Sequence, residues 1–311
     1  MGVSSAAIGK QSGGVLSIDD LRELATLRRR DLVANIGYLA LTWLIIGGAF
    51  TLAGVWTSWW TIALAFLINS SRQQVLLNIE HECIHASFSR DKRRDSAVGI
   101  IACASPAGSP WHDSRARHLA HHRLLATPDD PDLALHDSAD KNTPAKLVRY
   151  LGLSLFGGYA ARILLSGAPS TVSRELRIRD FRNLVVAQVA LWGTSWLVFG
   201  DWWLYLVVWV LPLITLTAAG HLLRSFVEHG VLTEERPEHD NLLVSIKSNP
   251  IELAFVAPYN MNLHAEHHLY PAVPAFRLPE VRTALLDTAE PPRLIRSSYL
   301  TAFARYAKSL A

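Results

Sequence analysis

Long apolar runs alternate with basic and histidine-rich segments along the 311 residues of this chain. Four runs, at 33–54, 60–79, 184–199 and 202–223, come near the roughly 20 residues that a bilayer core demands. They predict four transmembrane helices in two hairpins. The turns inside the pairs, 53–60 and 200–202, carry no lysine or arginine. By contrast, Arg22, Arg28, Arg29 and Arg30 precede the first run, and Arg90, Lys92, Arg93 and Arg94 follow the second. Arg174, Arg177, Arg179 and Arg182 lead into the third, and Arg224 ends the fourth. Positive charge stays on the cytoplasmic side, so both termini and all segments outside the two turns are expected there. Trp56, Trp59, Trp60, Trp202 and Trp203 would mark the outer interface.

The polar segments refine this plan. About a hundred residues separate the second and third runs, too many for a plain connection. Within them, 99–110 is apolar but broken by glycine and proline, which suits a re-entrant or interfacial segment. Residues 146–165, with Arg149 and Arg162 flanking leucines, read as an interfacial helix. From 231 onward the chain is polar enough for a cytoplasmic cap. The first twenty residues lack a charged-then-apolar signal plan, so the first run is expected to be an uncleaved anchor. The expected fold is an all-α integral membrane protein. It has a cytoplasmic tail at 1–32, a membrane domain at 33–282 and a carboxyl-terminal tail at 283–311.

Composition supports the class: 50% of residues are apolar and the mean hydropathy is +0.17. A net charge of +3, from basic residues that flank the runs, gives no case for nucleic acid. The two cysteines, Cys83 and Cys103, are not in CxxC spacing, which argues against a disulfide framework, an iron–sulfur cluster or a thiolate zinc site. They read as small buried residues.

The candidate chemistry lies in eight of the thirteen histidines. His81 and His85, then His118, His121 and His122, then His264, His267 and His268 form three boxes beside the apolar runs. Spacings of three and four place imidazoles on one helix face, one turn apart. Polar groups next to a bilayer are costly unless used, so the boxes read as ligands. Eight nitrogens exceed what one ion holds, and two ions sharing eight or nine imidazoles is the economical reading. His112, His136 and His239 stand alone and read as ordinary surface or satisfied residues. His81-Glu82-Cys83-Ile84-His85 also matches HExxH, the signature of zinc proteases, but such an enzyme would leave the other two boxes without a purpose. A metal transporter would hold its ligands at the bilayer midplane, not at the cytoplasmic ends of spans.

HECIH at 81–85, HLAHH at 118–122 and HAEHH at 264–268 resemble the three histidine boxes of the membrane fatty acid desaturase superfamily. That superfamily includes alkyl hydroxylases, carotenoid oxygenases and sphingolipid desaturases. The resemblance extends into HHRLLATPDDPDL at 121–133 and PYNMNLHAEHHLYPAVPAFRLPEV at 258–281, and covers most of the chain to about Arg282. It implies a di-iron centre with nitrogen ligands at the cytoplasmic ends of four spans. It also implies a ninth histidine from the segment after the last span. VEHGVL at 227–232 resembles the corresponding motif, which makes His229 the candidate. His221, inside the fourth run, competes with it. Asn260 is placed to contact a metal-bound water or to order the turn after Pro258. Asp129, Asp130, Asp132 and Glu266 are placed to accept ring N–H bonds and fix tautomers.

Two ferrous ions can deliver two electrons to dioxygen and so attack an unactivated C–H bond. The expected activity is O2-dependent desaturation of a fatty acyl chain. Hydroxylation or ketolation of an alkyl, fatty acyl or carotenoid substrate is the alternative on the same site. No haem, flavin or ferredoxin motif occurs, so a separate donor (ferredoxin, rubredoxin or cytochrome b5-like) is expected to dock on the basic cytoplasmic face.

Overall fold

The structure is a computed structural model that describes residues 29–125, 127–136, 142–166, 170, 172–229, 243–286, 294–295 and 297–310. The tail to residue 28, His239 and the side chain of His136 lie outside the described residues. Helix α1 (Arg29–Val55) and α2 (Trp59–Ile84) form an antiparallel pair. The turn between them closes on Ser58, whose hydroxyl accepts the Thr61 N–H while Thr61 Oγ1 accepts the Ser58 N–H, a reciprocal cap that starts α2. Then come α3 (Lys92–Val98), a wide π-helical turn at Gly99–Ala104, α4 (Trp111–Leu124), α5 (Leu133–His136), α6 (Pro144–Leu155), α7 (Gly158–Ser166) and α8 (Arg174–Phe199). Gly200, at φ +78°, ends α8 in the left-handed conformation that glycine adopts freely.

A fourth long helical stretch, Leu206–His229, passes through two π-helical segments, Leu206–Val210 and Leu213–Thr217, into α9 (Ala218–His229). The cap adds α10 (Pro250–Phe255), α11 (His264–Leu269), a 3-10 turn at Ala275–Arg277, α12 (Leu278–Leu286) and α13 (Tyr299–Ser309). It also holds a parallel pair, β1 (Ser245–Ile246) with β2 (Leu294–Ile295). This pair departs from the all-α expectation, because two residues are too few to leave a period-2 pattern in the sequence.

Two of these helical stretches, Asp31–Val55 and Leu206–His229, are long and apolar enough to cross a membrane, with mean hydropathies of 1.8 and 2.0. Both α2 and the last stretch run past the expected ends at 79 and 223. The apolar run stops there but the helix does not, so α2 carries His81 and α9 carries His229 on rigid extensions of the long helices.

Polar residues inside α2 have a local cause. Pro212 has no N–H to return to the Val208 carbonyl one turn earlier, and Asn69 donates to that carbonyl at 2.6 Å. Gln73 and Gln74 donate to the Trp209 and Thr217 carbonyls at 2.8 and 2.6 Å. Asn69 thereby replaces the donor that Pro212 lacks, and the two glutamines bond further backbone carbonyls of the same stretch. Asn69→Leu is expected to cost about 1–2 kcal/mol, measured by unfolding in detergent. The cost should shrink in a Pro212→Ala background, where the helix regains its own donor.

The segment 99–110 is handled in the same way. Trp43 donates its indole N–H to the Ala102 carbonyl, Gln188 its amide to those of Ser105 and Pro106, and Trp209 its indole N–H to that of Pro106. Side chains from three long helices thus bond carbonyls of this irregular stretch. Gly99 is needed there because a Cβ would stand 2.2 Å from the Trp111 ring. The expected interfacial helix at 146–165 divides into α6 and α7 at Phe156 and Gly157, the latter at φ +77°. Leu147 is fully buried whereas Phe156, between the two helices, is 88% exposed, so this part of the chain packs one apolar residue inward and leaves another on the surface.

Candidate metal centre

His81 sits in the last turn of α2 and His85 caps it. His118, His121 and His122 share the inner face of α4, and His264, His267 and His268 fill the short α11. Two devices aim these elements. The Asp180 carboxylate accepts the backbone N–H groups of His112 and Asp113, capping α4 from α8. Tyr259 and Asn260, both at positive φ, turn the chain after Pro258 into α11.

The nine histidines named as ligands converge in two adjoining groups. Ring nitrogens of His81, His85, His118, His122 and His267 lie within 4.8 Å of one another, as do those of His121, His229 and His268. His264 joins the second group, its Nε2 2.8 Å from that of His229. The His122 and His268 rings stack at 4.1 Å between the two groups.

These residues fit metal ions better than they fit one another. His85 and His122 both aim Nε2 at the same His118 nitrogen, at 2.8 and 3.0 Å, and His267 Nε2 is 3.2 Å from that of His122. One lone pair cannot serve several such neighbours. Nitrogens about 2.0–2.1 Å from a common ion and at right angles to each other stand about 3 Å apart. Both His81 nitrogens, His267 Nδ1 and His268 Nε2 are buried without a hydrogen-bond partner among the described residues. Burial first, and neighbouring imidazoles second, hold His118, His122, His264, His267 and His268 well below the usual imidazole range. Neutral imidazole is the form that binds a metal.

The surrounding carboxylates divide. Asp130 accepts the Nδ1–H of His121 at 2.9 Å, leaving Nε2 for the cluster. Asp132 instead pairs with Arg117 at 2.5 Å, and Asp129 is exposed. Glu266 bonds the Ser245 hydroxyl and Arg282, not a ring N–H; as the residue between two ligands on a helix, it projects from the opposite face. Asn260 donates to the Ala275 carbonyl at 3.3 Å and orders the turn. Glu82 accepts the Ala275 N–H at 2.9 Å, so it faces the 3-10 turn and is not poised as the base a zinc protease needs.

Sequence reasoning missed Glu228. It lies 3.3 Å from His264 Nδ1 and is held by Tyr299 and Arg224. Its signal was its place beside His229. His112 pairs with Asp180 at 2.6 Å and joins neither group. Nor does His221, which lines a cavity of about 400 Å³ together with His81, His118, His121, His229 and His264.

The profile of the fatty acid desaturase family matches residues 56–299, and the chain belongs to that family. It is similar to a beta-carotene ketolase of Paracoccus sp. (strain N81106 / MBIC 01143), at 29% identity over 67% of this chain and 74% of the relative. A dihydrorhizobitoxine desaturase of Bradyrhizobium elkanii is 24% identical over 83% of this chain and 76% of its own. An sn-1 acyl-lipid omega-3 desaturase (ferredoxin) of Nostoc sp. (strain 36) is 23% identical over 78% and 72%. Family and relatives are oxidoreductases.

Proposed function

We propose that this chain is a membrane di-iron desaturase that introduces a double bond into a fatty acyl chain at the expense of dioxygen. The observation that carries the reading is the convergence of nine imidazoles in two adjoining groups, with buried nitrogens of His81, His267 and His268 left without a hydrogen-bond partner among the described residues, in a chain of this family. His81, His85, His118, His122 and His267 would hold one iron, and His121, His229, His264 and His268 the other. When bound, the two irons supply the redox capacity to use dioxygen against an unactivated C–H bond. Removing two hydrogens from adjacent carbons, with dioxygen, two electrons and two protons, yields an alkene and two waters.

The chain's own contribution is positional. Asp130 fixes the His121 tautomer, Glu228 stands 3.3 Å from His264 Nδ1, and the cavity would present a substrate to rings of both groups. A separate donor would supply the electrons at the basic flank where Arg93 and Arg94 are exposed. Four spans with a cytoplasmic site remain the preferred topology. Leu197 and Val198 of α8 are 86% and 65% exposed, comparable with Leu44 of α1 at 72%, as lipid-facing residues would be.

A second reading, insertion of oxygen into the same class of C–H bond, has the likeness to the ketolase behind it. Desaturation is preferred because HAEHH followed by Leu-Tyr-Pro is similar to lipid desaturases. Elemental analysis of the purified protein tests the centre itself: about two irons per chain and essentially no zinc are expected. One zinc and no iron would sink the reading.

A further inference from the structure

His221 lies on the cavity-facing stripe of α9, with Ala218, Arg224 and Ser225. Its neighbours in sequence, Gly220 and Leu222, are buried, whereas His221 is exposed and lines the cavity. No hydrogen bond or ion pair joins it to any described residue. It stands about 12 Å along the helix axis from His229 and belongs to neither metal group. A histidine on a helix of this hydropathy is costly unless it is used. Here the user is whatever fills the cavity.

The cavity also indicates the charge of its occupant. Arg117 already holds Asp132 at 2.5 Å, and Arg224 holds Glu228 at 3.1 Å and Asn78 at 2.9 Å. Asp113, bonded to Ser170, adds acid to the same walls. An anionic group would meet two committed arginines and further carboxylates. A neutral oxygen would meet an imidazole able both to donate and to accept. Leu77, Ile84 and Leu213 supply apolar wall for the rest of the molecule.

We infer that His221 is a specificity-determining residue that hydrogen-bonds a neutral oxygen, a hydroxyl or an ester or ketone carbonyl, on an otherwise apolar substrate, and that free carboxylates are disfavoured. The inference rests on the oxidation reading above, since it takes the cavity for the substrate's, but its test needs neither metal turnover nor product.

Three twelve-carbon probes with a photoreactive diazirine at the far end, an alcohol, a carboxylate and a plain alkane, are crosslinked to the full chain in lipid nanodiscs. The labelled peptides are mapped by mass spectrometry. The alcohol should label the walls around 107–118 and 213–225 more strongly than the carboxylate or the alkane. His221→Leu should lower alcohol labelling about fivefold, the worth of one hydrogen bond, to the level of the alkane. His221→Gln should keep most of it, and bound metal should be unchanged in both variants. Equal labelling by carboxylate and alcohol, undiminished alcohol labelling in His221→Leu, or loss of metal would each overturn the inference. If His221→Leu loses labelling by every probe, the variant has collapsed. His221→Gln and the wild-type comparison of alcohol with carboxylate then decide. A chain that labels as expected yet yields no alkene would refute the desaturase reading and leave this one standing.

Discussion

Replacing His229 by alanine is expected to remove one iron from the purified protein and to lower turnover by more than about 100-fold, beyond the 10–100-fold typical of changes one shell out. His229 ends α9, is buried, and brings its Nε2 to 2.8 Å from that of His264 beside His121 and His268. An open position there also leaves His264 facing Glu228 with no metal to hold. The membrane fold should persist, because α9 is anchored independently by Phe226 and Val227, both fully buried. Iron content and alkene yield are the readouts. Full iron and normal product in this variant would remove His229 from the centre.

The second large effect separates three carboxylates that sit within four residues of one another. Asp130→Asn should weaken metal binding by about 10–100-fold, because the amide can offer an N–H where His121 needs an acceptor, and the ring loses its fixed tautomer. Asp132→Asn should leave metal binding near wild type, since its partner is Arg117. Asp129→Asn should change nothing measurable at this exposed position. Metal titration of the three variants side by side checks the order. Equal losses in Asp130→Asn and Asp132→Asn would mean that the loop acts through its charge and not through the His121 bond.

Much of the site was legible because its signal is local. Spacings of three and four within a helix are visible in sequence, and so is the cost of histidines beside apolar runs; the structure brings those eight rings together. The choice of His229 over His221 rested on the Glu-His pair at 228–229, and the structure sets these two histidines in different surroundings. What sequence could not show is long-range pairing. Nothing near Asp180 announces that it caps α4, and nothing near Tyr299 announces Glu228. Glu266 was assigned to a ring for its place between two histidines, yet neighbours on a helix point 100° apart. Asn69, Gln73 and Gln74 lie within an apolar run, and their partners are backbone carbonyls of a helix more than 130 residues along the chain. Helix ends differ from the ends of the apolar runs for a physical reason as well: hydropathy marks the apolar stretch, whereas backbone hydrogen bonding marks where the helix stops.

The central claim is removal of hydrogen from a long apolar substrate at a di-iron centre. Its most direct measurement is mass spectrometry of the lipids of a host expressing this chain, compared with a host expressing His267→Ala. Lipids lighter by two hydrogens, with a new double bond, are expected only with the unaltered chain and only under oxygen. Products that gain oxygen and no double bond would contradict desaturation and favour the hydroxylase or ketolase reading. The same new lipids from the His267→Ala host would contradict the histidine centre itself.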